Sequence, residues 1–211
     1  MTLSQSKQKH LNERRNKRLE REKSILTSAT DLFVQKGYEH STTKEIAAKA
    51  NCAEGLLFKY FQGKANLLTK LLENGIYRAS KDLLTIPKNT GSLEITLLDI
   101  MRWSIDIFWN ERKTFQIYYA QYLQGEINLS TYNCYEHFTN KRKEIFLNIV
   151  VNGVTENRHS IEIYENIFIA INSFALYSCA FHPSNNIQTK EYIHEKGQEF
   201  INILCKGLNH S

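Results

Sequence analysis

Apolar residues recur at helical spacing along nearly the whole chain, divided by short polar or glycine-bearing breaks. Ile25, Ala29, Leu32 and Phe33 predict a first helix over about 21–36, with Gly37 just past its end. Thr42-Thr43-Lys44-Glu45 has the form of a capping box. In that arrangement a Thr hydroxyl takes an orphan backbone N–H and a Glu three residues later reaches back. Ile46, Ala47 and Ala50 follow on one face, so a second helix should end near Ala50. Asn51 stands where the chain must turn, and Asn is the non-glycine residue that best tolerates a left-handed backbone. A third helix is predicted over about 53–61, with Leu57, Tyr60 and Phe61 inward and Glu54, Leu56 and Lys59 outward. Gly63 breaks that run and Lys64 opens the next helix. Two short helices around a tight turn make a helix-turn-helix pattern over about 42–61.

The helical period continues. Leu67, Leu68, Leu71, Leu72, Ile76, Leu83 and Leu84 predict a long helix over about 64–84, followed by a loop at Pro87–Ser92. Five more helices are expected at about 93–109, 112–124, 131–152, 161–181 and 189–208. Only 9 Gly and 2 Pro argue against an all-β fold with many turns. The fold class is read as all-α: a three-helix N-terminal domain carrying the helix-turn-helix, then a C-terminal helical domain. The domains are set at 1–18 for a basic N-terminal arm, 19–79 for the helix-turn-helix domain and 80–211 for the rest. The segment from Ile161 to Tyr177 is apolar on almost every side, which predicts burial on all sides, with a partner subunit as the cover.

Charge sharpens the picture. The net charge is +5. Residues 1–23 hold eight Lys/Arg and three Asp/Glu, residues 24–72 six and four, and residues 73–211 thirteen and fifteen. The positive excess therefore lies entirely in the N-terminal third, as a nucleic-acid contact requires, since each phosphate neutralised releases counterions. The run Lys7–Lys23 lacks an apolar stripe. It either extends the first helix or stays disordered until it meets DNA, and it is either a solvated tail or an arm following the phosphates.

The segment from Arg21 to Leu68 resembles the N-terminal DNA-binding domain of the TetR family of bacterial transcriptional regulators. The resemblance rests on Ile25, Ala29, Leu32-Phe33, Gly37-Tyr38, Thr42, Ile46-Ala47, Ala50, Gly55, Phe61 and Lys64. It departs from the family at four positions: Asn51 replaces the usual Gly, Ala53 a Ser, Leu56 a Thr and Phe58 a Tyr. Ala53 removes an N-cap hydroxyl, and Leu56 and Phe58 lose hydroxyls that bond DNA phosphates in the family. The third helix then reads base edges, with Glu54, Gly55, Leu56 and Lys59 nearest the groove. Gly55 lets the backbone approach DNA, and Leu56 is suited to a thymine methyl. Thr42 joins the DNA-binding set, and Lys44, Tyr60 and Lys64 are the phosphate candidates. The resemblance further implies a cytoplasmic homodimer joined through its last two helices as a four-helix bundle. Two recognition helices then lie one DNA turn apart, about 34–36 Å, over a palindromic operator. The helix that opens at Lys64 passes ligand binding to the DNA-binding head, and a small effector releases the repressor. The alternative is a small-molecule binding protein with only non-specific DNA affinity.

Aromatics crowd the middle of the chain. Trp103, Phe108, Phe115, Tyr119, Tyr122 and Phe138 are the candidates to line an effector cavity suited to an apolar or aromatic molecule, or they fill a helical core. Little suggests enzyme chemistry. Cys134 and His137 lie three apart but no second Cys/His pair matches them, so neither a metal nor a cofactor is expected. Asp99 and Asp106 share a helix face, where an ion pair such as Asp99–Arg102 accounts for them. No phosphate loop, nucleophile elbow or dinucleotide fingerprint is present. The longest apolar stretch, Ile167–Phe181, contains Asn172 and is too short to span a bilayer, and no signal peptide is read. The four cysteines, Cys52, Cys134, Cys179 and Cys205, are far apart, as reduced thiols of a cytoplasmic protein would be.

Overall fold

A computed structural model of the protein describes residues 3–85, 92–153, 159–181 and 189–209. All regular structure among the described residues is helical: α1 (Leu3–Lys36), α2 (Thr43–Lys49), α3 (Glu54–Phe61), α4 (Lys64–Lys81) with a 3-10 turn at Asp82–Leu84, α5 (Leu93–Asn110), α6 (Arg112–Leu123), α7 (Leu129–Gly153), α8 (Ile161–Leu176) with a π turn at Tyr177–Phe181, and α9 (Lys190–Asn209). The predicted loop at Pro87–Ser92 lies outside the described residues except for Ser92, the N-cap of α5. Most of the breaks expected at 153–160 and 182–186 also lie outside them. The chain divides into two compact units, residues 1–72 and 73–211. The division falls within α4, earlier than the boundary after residue 79 that the sequence suggests.

The first unit is built on α1. Its C-terminal half buries Ile25, Ala29 and Phe33. They pack with Ile46 and Ala47 of α2, Leu57 and Phe61 of α3, and Leu67, Leu68, Leu71 and Leu72 of α4 in the core of this unit. Each fully buried Leu, Ile or Phe contributes about 1.5–3 kcal/mol. That contribution is needed, because isolated helices under about 12 residues are marginal in water, and α2 and α3 have 7 and 8. The basic run at the start continues α1 without a break. Its residues 8–21 are exposed, and Arg18 Nε bonds Glu22 Oε1 at 2.7 Å one turn on. With no glycine or proline to stop it, the helical backbone of α1 runs on past its last core contact.

The second unit is organised around α5, which buries residues on nearly every side, from Leu97 and Ile100 to Ile107 and Phe108. Helices α6, α7, α8 and α9 all pack on it. Gly197 of α9 permits the approach to α5: a Cβ there would lie 2.9 Å from Ile105 Cδ1 and from Met101 Cγ. The last turn of α8 widens into the π turn, where Cys179 Sγ donates to the Ile105 carbonyl at 3.7 Å. Burial pushes that thiol up to about 12. All four cysteines are free. No helix among the described residues is long and apolar enough to cross a membrane.

Candidate nucleic-acid interface

The helix-turn-helix forms from its own sequence chemistry. Thr42 is extended and caps α2: its hydroxyl accepts the Glu45 N–H at 3.2 Å, and Glu45 Oε2 accepts the Thr42 N–H at 2.9 Å. Lys36 Nζ bonds the other oxygen, Glu45 Oε1, at 2.5 Å. These bonds, Lys36 first, hold the Glu45 carboxyl down at about 2. Ala50 closes α2 with its N–H on the Ile46 carbonyl at 2.9 Å, and Asn51 turns the chain with φ 53°. Ala53 caps α3 with no side-chain bond, as its missing hydroxyl predicts. Gln62 ends α3 with φ 61° and Gly63 follows with φ 137°.

This frame buries Leu57 and Phe61 and turns the other side of α3 to solvent. Gly55 and Lys59 are exposed, and no atom within 4 Å would meet a Cβ at Gly55. Leu56 is half-buried. Glu54 accepts a hydrogen bond from the Thr43 hydroxyl at 2.5 Å, which ties the start of α3 to α2. Lys44 is exposed on α2. Tyr60 is half-buried, with the Arg18 guanidinium 5.6 Å from its ring centre.

Lys64 sits differently from the sequence expectation, and Phe58 had none for its place. Lys64 is half-buried and faces Tyr38: Nζ donates to the Tyr38 carbonyl at 3.0 Å and the Glu39 carbonyl at 3.4 Å, and lies 4.1 Å from the Tyr38 ring centre. Its ammonium is thus engaged within the unit. Phe58, noted only for its missing hydroxyl, is 48% exposed and presents a bare ring on the same helix as Lys59. Its i, i+3 spacing from buried Phe61 would turn it inward by local period, so no sequence signal marks its exposure.

In the second unit the aromatic candidates form a graded series. Trp103, Phe108, Phe115 and Phe138 are buried, Tyr119 is half-buried and Tyr122 is 47% exposed. Phe115 meets Phe108 edge-on at 4.9 Å and stacks on Phe138 at 5.8 Å. Tyr118 stacks on Tyr135 at 4.4 Å, and the hydroxyls of Tyr119 and Tyr135 bond each other. Burial raises the phenols of Tyr118, Tyr119 and Tyr135. Sequence reasoning missed Arg142, the largest fully buried side chain among the described residues, whose guanidinium lies 4.7 Å from the Phe108 ring centre. Asp99 pairs with Arg102 at 3.5 Å, and Asp106 with Lys190 at 2.7 Å. No group of three or more metal-ligating side chains gathers among the described residues.

Residues 25–71 match the family model for the bacterial regulatory proteins of the tetR family. The uncharacterized HTH-type transcriptional regulator YvkB of Bacillus subtilis (strain 168) is 50% identical over 50 residues, 24% of this chain and 26% of that protein. The HTH-type transcriptional regulator HbdR of Aromatoleum sp. (strain CIB) is 38% identical over 55 residues, 26% of this chain and 24% of that protein. The matched segment thus spans only a quarter of these relatives. Among solved structures, a tetR-family regulatory protein from Rhodococcus RHA1 superposes with a TM-score of 0.70 at 19% identity, covering 86% of this chain and 94% of that one. The ketosteroid transcriptional regulator KstR2 of Mycobacterium tuberculosis does so with a TM-score of 0.65 at 16% identity, covering 89% and 94%. At these identities the likeness is one of fold.

Proposed function

We propose, because residues 25–71 match the family model of the TetR family's DNA-binding domain, that the whole chain is a sequence-specific, cytoplasmic transcriptional repressor. The observation that carries this is the α2–turn–α3 unit. It is capped at Thr42, turned at Asn51 and anchored by Leu57 and Phe61, with Gly55, Leu56, Phe58 and Lys59 left toward solvent. Lys44 supplies a phosphate contact, the basic start of α1 draws the duplex in, and the outward residues of α3 meet base edges. Leu56 and Phe58 give apolar contact, matching thymine methyls rather than phosphates.

The protein acts as a homodimer through α8 and α9. Ile169 on α8 is 61% exposed and Ile203 on α9 is 71% exposed, apolar surface that a twofold mate would cover. Twofold symmetry then demands a palindromic operator with half-sites one turn apart. A small apolar or aromatic effector, bound among the aromatic side chains of the second unit, favours a conformation whose two heads no longer match successive grooves. Its power is its differential affinity for the two conformations. Helix α4 begins in one unit and ends in the other, so it is the covalent route for that switch.

A second reading is favoured by Lys64 being engaged with Tyr38 and by the acidic Glu54 at the start of α3. On that reading the protein binds small molecules and holds DNA only through the charge of α1. Selection of duplexes from a random library by the full-length protein at two salt concentrations separates the two. An enriched palindrome sustains the repressor. Salt-sensitive retention with no enriched sequence rejects it in favour of the second reading.

A further inference from the structure

Arg142 is 1% exposed, and no carboxylate among the described residues pairs with it. Its surroundings are rings: the guanidinium carbon lies 4.7 Å from the Phe108 centre, 5.5 Å from Trp103 and 5.6 Å from Phe138. A guanidinium has five N–H donors in a planar fork. Nη2 donates to Ser104 Oγ at 2.9 Å and Nη1 to Asn172 Oδ1, both neutral acceptors, while Nε has no partner. Removing a charge from water without an opposite charge is expensive, and an apolar side chain of the same volume would fill this place more cheaply. A cation kept here at that cost points to an anion that arrives later.

Further buried polar atoms on α6 and α7 also lack partners. The Tyr118 hydroxyl, Gln121 Oε1 and Thr131 Oγ1 are all buried without a hydrogen-bond partner, although buried polar groups are almost always satisfied. They lie along one seam. Tyr118 and Gln121 belong to α6, and Thr131 stands on α7 eleven residues, or three turns, before Arg142. The α6 and α7 backbones come close at few points, so side chains span the gap between them. Tyr118 stacks on Tyr135 at 4.4 Å and on Tyr122 at 6.0 Å, and Tyr122 stacks on Tyr132 at 6.5 Å. Tyr122 and Tyr132 are exposed. Ring contacts thus run from exposed Tyr132 and Tyr122 through Tyr118 and Tyr135 to Phe138, whose centre lies 5.6 Å from the guanidinium.

We propose that this seam is the effector site and that Arg142 anchors the carboxylate of a small, otherwise apolar organic acid. The inference rests on the effector-responsive reading above and adds to it the charge of the ligand. A planar carboxylate matches the fork of a guanidinium, its apolar body matches the rings, and the bare Nε and the Tyr118 hydroxyl are donors awaiting an acceptor.

The test is calorimetric titration of the full-length protein with matched acids and amides: 3-phenylpropionate, 2-naphthylacetate and decanoate, each against its own carboxamide. At least one acid should bind at least about tenfold more tightly than its amide. Arg142→Met should lose that preference and keep the amide affinity. The aromatic and straight-chain arms report which apolar body the seam accepts. Equal binding of acid and amide by the unaltered protein overturns the proposal, and this comparison needs no variant to fold. An acid preference that survives in Arg142→Met overturns it too. A neutral probe that binds better than its acid and releases DNA rejects the carboxylate while sustaining the effector reading. Failure of every probe to bind rejects both.

Discussion

Replacing Lys64 with Met separates two roles for one ammonium. The sequence suggests a phosphate ligand, whereas the structure ties Nζ to the Tyr38 carbonyl at 3.0 Å, to the Glu39 carbonyl at 3.4 Å and to the Tyr38 ring at 4.1 Å. A hydrogen bond from a charged donor contributes about 1.5–3 kcal/mol, and a cation–π contact at a partly exposed site about 0.5–1 kcal/mol. Lys64 is half-buried, so the low end of each range applies, and Met keeps the apolar stem. The expected loss is about 2 kcal/mol, or about 4–8 °C in Tm. Urea and thermal unfolding measure it directly. Binding to duplex DNA is then titrated at several salt concentrations, at a temperature where the variant is folded. A phosphate ligand would lower the salt slope by about 0.9 on substitution. The clamp predicts lost stability with an unchanged slope. Unchanged stability with a reduced slope would refute the reasoning.

Three further outcomes are expected. Gly75→Ala would put a Cβ 2.3 Å from Thr114 Oγ1 and 2.8 Å from Thr114 Cβ. Overpacking costs about 1–3 kcal/mol and the helix gains about 1 kcal/mol. A net loss near 1 kcal/mol in urea unfolding, partly recovered by adding Thr114→Ala, is the expected result, and a stabilised single variant would contradict it. At Asn51, where φ is 53°, substitution by Ala should cost about 1 kcal/mol more than substitution by Gly; equal unfolding midpoints would remove the backbone argument. The Glu45 carboxyl is held down at about 2 from an ordinary 4.5, chiefly by Lys36. A carboxyl depressed by folding contributes stability fully present above its unfolded value and lost as pH falls through its folded one. Glu45→Gln should therefore flatten the decline of stability between pH 4.5 and about 2, and an unaltered slope in urea unfolding across that range would count against the assignment.

What the sequence revealed and what it hid follow from the range of the interactions. Thr42 and Glu45 are three residues apart, and Asn51 is set by its own backbone, so the caps and the turn were legible. The burial of Leu57 and Phe61 follows from local period alone. Lys64 was misleading because its partner Tyr38 lies 26 residues away, and no local pattern couples them. Arg142 was hidden by its neighbours. It stands in Asn140-Lys141-Arg142-Lys143-Glu144, which reads as a solvated charge run. Only the four-residue steps to Phe138 before it and Phe146 after it show that it shares their buried face. The graded exposure from Phe115 to Tyr122 likewise depends on tertiary packing, which a list of aromatic residues does not contain.

Helix α1 has 34 residues, about 50 Å at 1.5 Å each, and its residues 8–21 are exposed and rich in Lys and Arg. Charge on a stiff rod is held at fixed separation instead of averaging over a coil. On the proposed reading, such a rod samples a far larger volume of solution for phosphates than a compact domain does, because the field of a surface charge fades within about 8 Å at physiological salt. Its effect is then one of encounter. Charges that only guide approach speed association and leave the docked lifetime nearly untouched. Stopped-flow kinetics with residues 1–18 deleted should show slower arrival at duplex DNA of any sequence, while the departure rate from a preferred site stays the same.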